Sequence, residues 1–450
     1  MAIKSKNKYL LLIISTFLIV RLISYQIFNI SLDEKWLFEL WQHINKDYLE
    51  NNFLLSILYF HAQPPFWNII LGIGIKLQNF INLNLFVSLI NVLFTIHILY
   101  CSHHILKNFN FKRIYIFFIL FFLIILAPSI LFFENFASYA HLTCMLMFAI
   151  KLNFLKILKK YKLKYELQIY FYSSLIILTW SAYIIYFNLF VFFLLVPVLF
   201  KQKRIIKSFC IFILFFILGS LPSIKNKIFF DIFSNSSWTG LNAAQATGYD
   251  REEWPLCSFN KDKITDYNIK YKNFLNNKPY LNSDILNDKS FNDLGYIYKS
   301  LNCDQKAKKH LLLNFTEITK QKIQRFISVH AHLSIDFAFK PKNWKTKFYK
   351  LEELNNNFFF KLITLIFFGS IYLFYLYLIL DYGFKKNRNF SDHFLLINLL
   401  LYSYLIIVSF YGSTWEQERM RYTGYSFIFI SISIILKKLT TNLNKMSFFK

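Results

Sequence analysis

Ser31-Leu32-Asp33-Glu34 follows the first apolar stretch of the chain, and Tyr59-Phe60-His61-Ala62-Gln63-Pro64-Pro65 closes the loop that begins there. A carboxylate at the end of a membrane span stays ionised where it meets a water-filled cavity, and it can then take a proton from a hydroxyl or amine nucleophile. Asp33 has that placement, with Glu34 beside it. It also suits the N-cap of a helix over Lys35 to His43, a purely structural use of the same residue. Pro64-Pro65 prevents a helix from continuing backwards, so His61 and Gln63 are expected at the membrane surface near the same cavity. The plainer alternative is that Pro-Pro starts a helix and His61 fills an interface.

These residues need elements that deliver them to one face. Of the 450 residues, 56% are hydrophobic and 20% aromatic, and the apolar ones fall in blocks close to the length that crosses a bilayer. An all-α polytopic membrane protein follows, with interfacial helices in its first exoplasmic loop and one mixed exoplasmic domain. The formal charge of +26 does not indicate nucleic acid, because Lys and Arg cluster in short segments between apolar blocks. Met1 to Lys8, Ile105 to Arg113, Lys151 to Glu166, Lys201 to Lys207, Asp381 to His393 and Leu436 to Lys450 read as cytoplasmic. The short segments opposite them hold only Lys35, Lys46, Arg419 and Arg421, which places both termini inside. Charge and parity then require that Phe66 to Asn82 be interfacial or re-entrant rather than a crossing.

About ten spans result: Leu10 to Asn29, Asn84 to His104, Ile114 to Phe133, Ala137 to Leu155, Ile169 to Trp180, Ile184 to Phe200, Ser208 to Ile224, Phe358 to Leu380, Phe394 to Tyr411 and Gly424 to Ile435. Residues 1–224 form an N-terminal transmembrane module with its first exoplasmic loop at 30–82, residues 225–357 an exoplasmic soluble domain, and residues 358–450 a C-terminal transmembrane module. Cys257 and Cys303 are the two cysteines outside the apolar spans, so an oxidising compartment would allow them to form a disulfide. Asn235-Ser236-Ser237 and Asn314-Phe315-Thr316 match the glycosylation pattern. Trp238 is either a stacking platform for a sugar or an interfacial tryptophan. His330, His332 and Asp336 lack a completing ligand, so no metal site is assigned. No cofactor is specified, and the site chemistry is compatible with a divalent metal.

Asp33-Glu34 after the first span, His61-x-x-Pro64-Pro65, Pro128-Ser-Ile-Leu-Phe-Phe-Glu134-Asn135 where the third span emerges, and Glu416-Gln-Glu418-Arg419-Met-Arg421 before the last span form a set. With them the chain resembles the GT-C glycosyltransferases. The similarity is to the bacterial family-39-like branch of protein O-mannosyltransferase-like enzymes, lipid A aminoarabinose transferase and lipopolysaccharide-core glycosyltransferases. It covers the first 200 residues and the last 40, and is weak across Lys225 to Asn357. The resemblance implies a transferase that takes a sugar from a polyprenyl phosphate and passes it to an exoplasmic lipid, glycan or protein of the cell envelope. It also implies a bacterial inner membrane location with the site facing the periplasm, and no nucleic-acid partner.

By this resemblance Asp33 is the general base, with Glu34 part of the catalytic pair. His61, Gln63, Glu134, Glu416, Glu418, Arg419 and Arg421 contribute to binding donor or acceptor. Arg419 and Arg421 suit the leaving phosphate because guanidinium matches its geometry. Two departures are visible. Arg421-Tyr422-Thr423-Gly424 runs into the last helix without the proline that many relatives carry there, and His61 stands where some relatives place an acid. The competing class is a transporter or flippase of lipid-linked saccharides, which would concentrate its polar residues near mid-membrane.

Overall fold

The computed structural model describes residues 3–28, 30–32, 37, 43–230, 232–247, 295–330, 358–384, 390–411 and 422–447. Among these residues there is no strand, and five helices are long and apolar enough to cross a membrane: Lys8–Ile27, Leu83–Asn108, Ala140–Lys159, Ile205–Phe230 and Phe390–Val408. The fold is that of an all-α membrane protein. Exposed Leu11, Leu22, Leu93 and Leu214 show the outward apolar faces that a bilayer would cover.

Helix α1 (Ile3–Phe28) is followed by three short helices, α2 (Lys46–Asn51), α3 (Phe53–Tyr59) and α4 (Phe66–Lys76). Pro65 stands at the N-cap of α4, where a residue without an N–H costs nothing. With 11 residues α4 is about 16 Å long, half of what a hydrocarbon core requires, so it cannot cross alone. Lys76 at its end donates to Glu50 O, tying α4 back to α2.

Helix α5 (Leu83–Asn108) starts at Asn82, whose side chain accepts from Asn84 N at 2.8 Å. The next apolar block was expected to be one span over Ile114 to Phe133, but it is interrupted. Helix α6 (Arg113–Leu120) passes into a π-helical turn at Phe121–Ile125, and α7 (Pro128–Glu134) begins afresh. Pro128 lacks the N–H that would continue the ladder, and it holds Ala127 extended at φ −63°, ψ 117°.

Helix α8 (Ala140–Lys159) is the centre of the bundle and packs against α5, α9 (Leu163–Thr179), α16 (Phe390–Tyr411) and α17 (Tyr425–Ser447). Ala140, Thr143, Cys144 and Ala149 are buried along it, and such small side chains let helix backbones approach closely. Lys151, where the expected span Ala137 to Leu155 overlaps the basic segment Lys151 to Glu166, is 1% exposed inside this helix, with its Nζ 6.0 Å from the centre of the Phe427 ring.

Helices α10 (Tyr186–Lys201) and α11 (Ile205–Phe230) complete the N-terminal bundle, and α11 runs past Ile224 to carry Lys225 and Lys227 within it. Beyond it, α12 (Thr239–Ala246), α13 (Gly295–Leu313) and α14 (Phe315–His330) are the described helices before α15 (Phe358–Phe384), which returns to apolar sequence. Gly240 permits the crossing of α12 and α13, because a Cβ there would lie 1.8 Å from Ser300 O.

Candidate active site

The break before α7 leaves helical carbonyls without their usual partners, and residues from both ends of the chain supply donors. Arg21 on α1 donates through Nη1 to Ile125 O at 2.9 Å, and Tyr425 on α17 donates to Leu123 O at 2.7 Å. Arg21 also lies over the Phe17 ring at 4.8 Å. Its Nε donates to Glu134 Oε1 at 2.7 Å, forming an ion pair whose side chains are 9% and 4% exposed. A charge pair this dry calls for partners on its remaining atoms; Arg21 Nη2 has none among the described residues, whereas the Glu134 oxygens are met. Thr95 accordingly donates to Glu134 Oε2 at 2.7 Å, and Asn91 Nδ2 to the Glu134 backbone carbonyl at 2.9 Å.

His141 extends this network toward the last helix. Its Nε2 faces Asn91 O at 3.1 Å and Thr95 Oγ1 at 2.9 Å. A backbone carbonyl can only accept, so Nε2 carries the proton and Nδ1 accepts from the Tyr422 hydroxyl. The Tyr422 ring stacks on Phe133 at 3.9 Å, so polar and aromatic contacts both fix the start of the last helix. All the donors point one way, Tyr422 to His141, His141 to Thr95 and Thr95 to Glu134.

A second cluster locks the Pro64-Pro65 loop. Three successive carbonyls are held from the end of α11 and the turn after it: Lys225 Nζ donates to Phe60 O, Ser237 N to His61 O at 2.9 Å, and Ser236 Oγ to Ala62 O. His61 is fully buried, with Nδ1 2.7 Å from Ser237 Oγ and its ring edge-on to Phe230 at 5.0 Å. It therefore fastens two segments of the chain together. Gln63 is buried as well, and its Oε1 makes no hydrogen bond among the described residues. Trp238 is 2% exposed and packs in the core, so it offers no open stacking platform.

The two clusters are joined. Asn235 Nδ2 donates to Tyr183 O at 3.1 Å, and Tyr183 OH donates to Thr423 Oγ1 at 3.2 Å, next to Tyr422. Asn235 is 4% exposed, so the first glycosylation pattern is closed to modification in the folded chain.

On the other side of the loop, His43 is buried, with Nδ1–H donating to Leu37 O and Nε2 accepting from Trp67 Nε1 at 3.1 Å. Burial lowers its pKa to about 4, which keeps the ring neutral. Leu32 and Leu37, which bracket the acid pair in sequence, are both buried.

Asp33, Glu34, Glu416, Glu418, Arg419 and Arg421 lie outside the described residues, as do His332, Asp336 and Cys257. Cys303 is buried and disulfide-bonded, and Cys101, Cys144 and Cys210 are free thiols. No three His, Cys, Asp or Glu residues group as metal ligands among the described residues.

Of the expected site residues, Glu134 joins the Arg21 network while His61 and Gln63 belong to the loop lock. Asn91, Thr95, His141 and Lys225 belong to no motif, and Ser237 and Tyr422 stand in the sequence only within the Asn235 glycosylation pattern and the segment after Arg421. One local signal was present: Asn91 and Thr95 are spaced i, i+4 within an apolar span, which puts two polar groups on one helix face. No protein-family model matches the chain, and no curated protein matches it.

Proposed function

We propose that the chain is a GT-C-type membrane glycosyltransferase that moves a sugar from a polyprenyl-phosphate donor to an exoplasmic acceptor. It has about ten crossings, both termini in the cytoplasm, and its site on the periplasmic side of a bacterial inner membrane. Asp33 takes the proton from the acceptor nucleophile, with Glu34 beside it. The acceptor atom bonds to the anomeric carbon as the carbon–oxygen bond to phosphate breaks, and polyprenyl phosphate leaves with the electron pair. Inversion at the anomeric carbon follows from the single displacement.

A phosphate leaving group needs cations more than an acid. Arg419 and Arg421 fill that role, with Glu416 and Glu418 ordering the segment that carries them. Glu134 serves as the counter-ion of Arg21, and His61 shapes the site through the loop it fastens.

The observation that carries this reading is the joining of the two clusters. Groups from the first span, the first loop, the Pro128 helix, the turn after α11 and the start of the last helix form one connected set, which includes His61 of the first loop and Tyr422 and Thr423, the residues that follow Arg421 in sequence. The competing reading is a transporter or flippase of lipid-linked saccharides, which would move the donor without transferring its sugar.

The test is to incubate membranes holding the protein with a panel of radiolabelled polyprenyl-phosphate sugars. One donor should label an envelope acceptor. Movement of a donor across the bilayer without transfer, or no transfer from any donor, would contradict the assignment.

A further inference from the structure

Helices α13 and α14 meet at a corner at Asn314, with Asn314 N–H donating to His310 O at 2.9 Å and Ile318 N–H to Asn314 O at 3.0 Å. The inner face of α13 is set by Ile297, Ser300, Cys303 and Ala307, all buried at helical spacing, and Gly240 N donates to Ser300 Oγ at 2.9 Å where α12 packs on it. Burial stops at Ala307 and resumes at Ile318. The corner between them projects, and its most exposed side chains are apolar: Leu312, Leu313 and Phe315 are 81%, 73% and 53% exposed. Around them Lys306, Lys308, Lys309 and Lys320 are exposed, with Lys308 paired to Asp304 at 2.5 Å and Glu317 as the exposed acid, so positive charge is in excess.

An apolar tip with a basic collar matches one partner chemistry. The apolar side chains can sink beneath the phosphates of a bilayer while the lysines stay level with them, and anionic headgroups add the electrostatic part. The two helices are held among apolar ones, since α14 packs on α15 and α12, which packs on α13, also packs on α16. A second copy is the weaker occupant: three side chains fall far short of the roughly 800 Å² per partner that a stable interface buries.

We propose that the corner Leu312 to Phe315 is a membrane-docking wedge that enters the headgroup region of an anionic phospholipid surface. This inference is independent of the transferase reading.

The test uses the full chain, one copy per nanodisc, with Cys210→Ser to remove the exposed free thiol. Leu313→Cys, and separately Gln305→Cys further down the same helix, carries an environment-sensitive fluorophore. The chain without an added cysteine is the blank. A nitroxide lipid labelled at the top of the acyl chain should quench the probe at 313 at least twofold more than the probe at 305. The excess should be larger in discs containing phosphatidylglycerol than in phosphatidylcholine alone, and Lys308→Glu with Lys309→Glu should remove that lipid dependence. Equal quenching at 313 and 305 in both lipids would overturn the proposal, as would a glycan on Asn314 in protein taken from its own membrane.

Discussion

Arg21 Nε lies 2.7 Å from Glu134 Oε1, an ion pair that joins the first helix to residues 113 positions further along the chain. Removing one partner leaves the other as an uncompensated buried charge, whose cost is about 3–5 kcal/mol. Glu134→Gln and Arg21→Met are each expected to lower the thermal unfolding midpoint in detergent. The double variant Arg21→Met/Glu134→Leu should recover part of that loss. Single variants as stable as the wild type would mean that the pair is hydrated.

His43 gives a pH dependence whose sign follows from burial. Its folded pKa is about 4 against 6.5 for a free histidine, so between those values the unfolded chain holds a proton that the folded chain does not. Stability is therefore expected to fall as pH drops from 6.5 toward 4. His43→Gln should flatten that part of the profile, as read by denaturant unfolding at stepped pH. An unchanged slope in the variant would assign the dependence elsewhere.

Lys225→Met is expected to loosen the loop that carries His61, because it leaves Phe60 O without its donor, at a cost of about 1–3 kcal/mol. Ser237→Ala removes the partner of His61 Nδ1 but keeps the backbone N–H to His61 O, so its effect should be smaller. Limited proteolysis within residues 43–65 would report the order Lys225→Met, Ser237→Ala, wild type.

A reporter active only in the cytoplasm should be active when fused after Lys107 or Lys160 and silent after Asn260. The fusion after Lys107 is the discriminating one. Silence there would mean that the stretch from Phe66 to Asn82 crosses the membrane, contrary to the length of α4.

The apolar blocks made most of the bundle legible, because bilayer thickness imposes a segment length that composition reveals directly. Pro64-Pro65 likewise marked the start of α4. The break at Leu126 and Ala127 was hidden, because hydropathy is blind to the backbone ladder, although Pro128 at the first helical position is the kind of residue that signals it. Lys151 fell in both a span and a basic segment by sequence, because its charge suggested a loop while its apolar neighbours on both sides continue the helix, and α8 carries it inside. The His141 to Tyr422 bond joins residues 281 apart, and no local pattern carries such a pairing. Asn235 matches the glycosylation pattern by sequence, whereas its buried side chain holds Tyr183 O. Sequence patterns report what a residue type can do, and tertiary contacts decide which use is taken.

The central claim is that Asp33 is the base of a sugar transfer from a polyprenyl phosphate. Its most direct test is the single-turnover rate of Asp33→Asn, which changes the charge while nearly preserving the volume, measured beside the wild type with the donor found in the panel. The rate is expected to fall by about 10²–10⁴ with folding and membrane insertion intact. Transfer at the wild-type rate by the Asn variant would contradict the account.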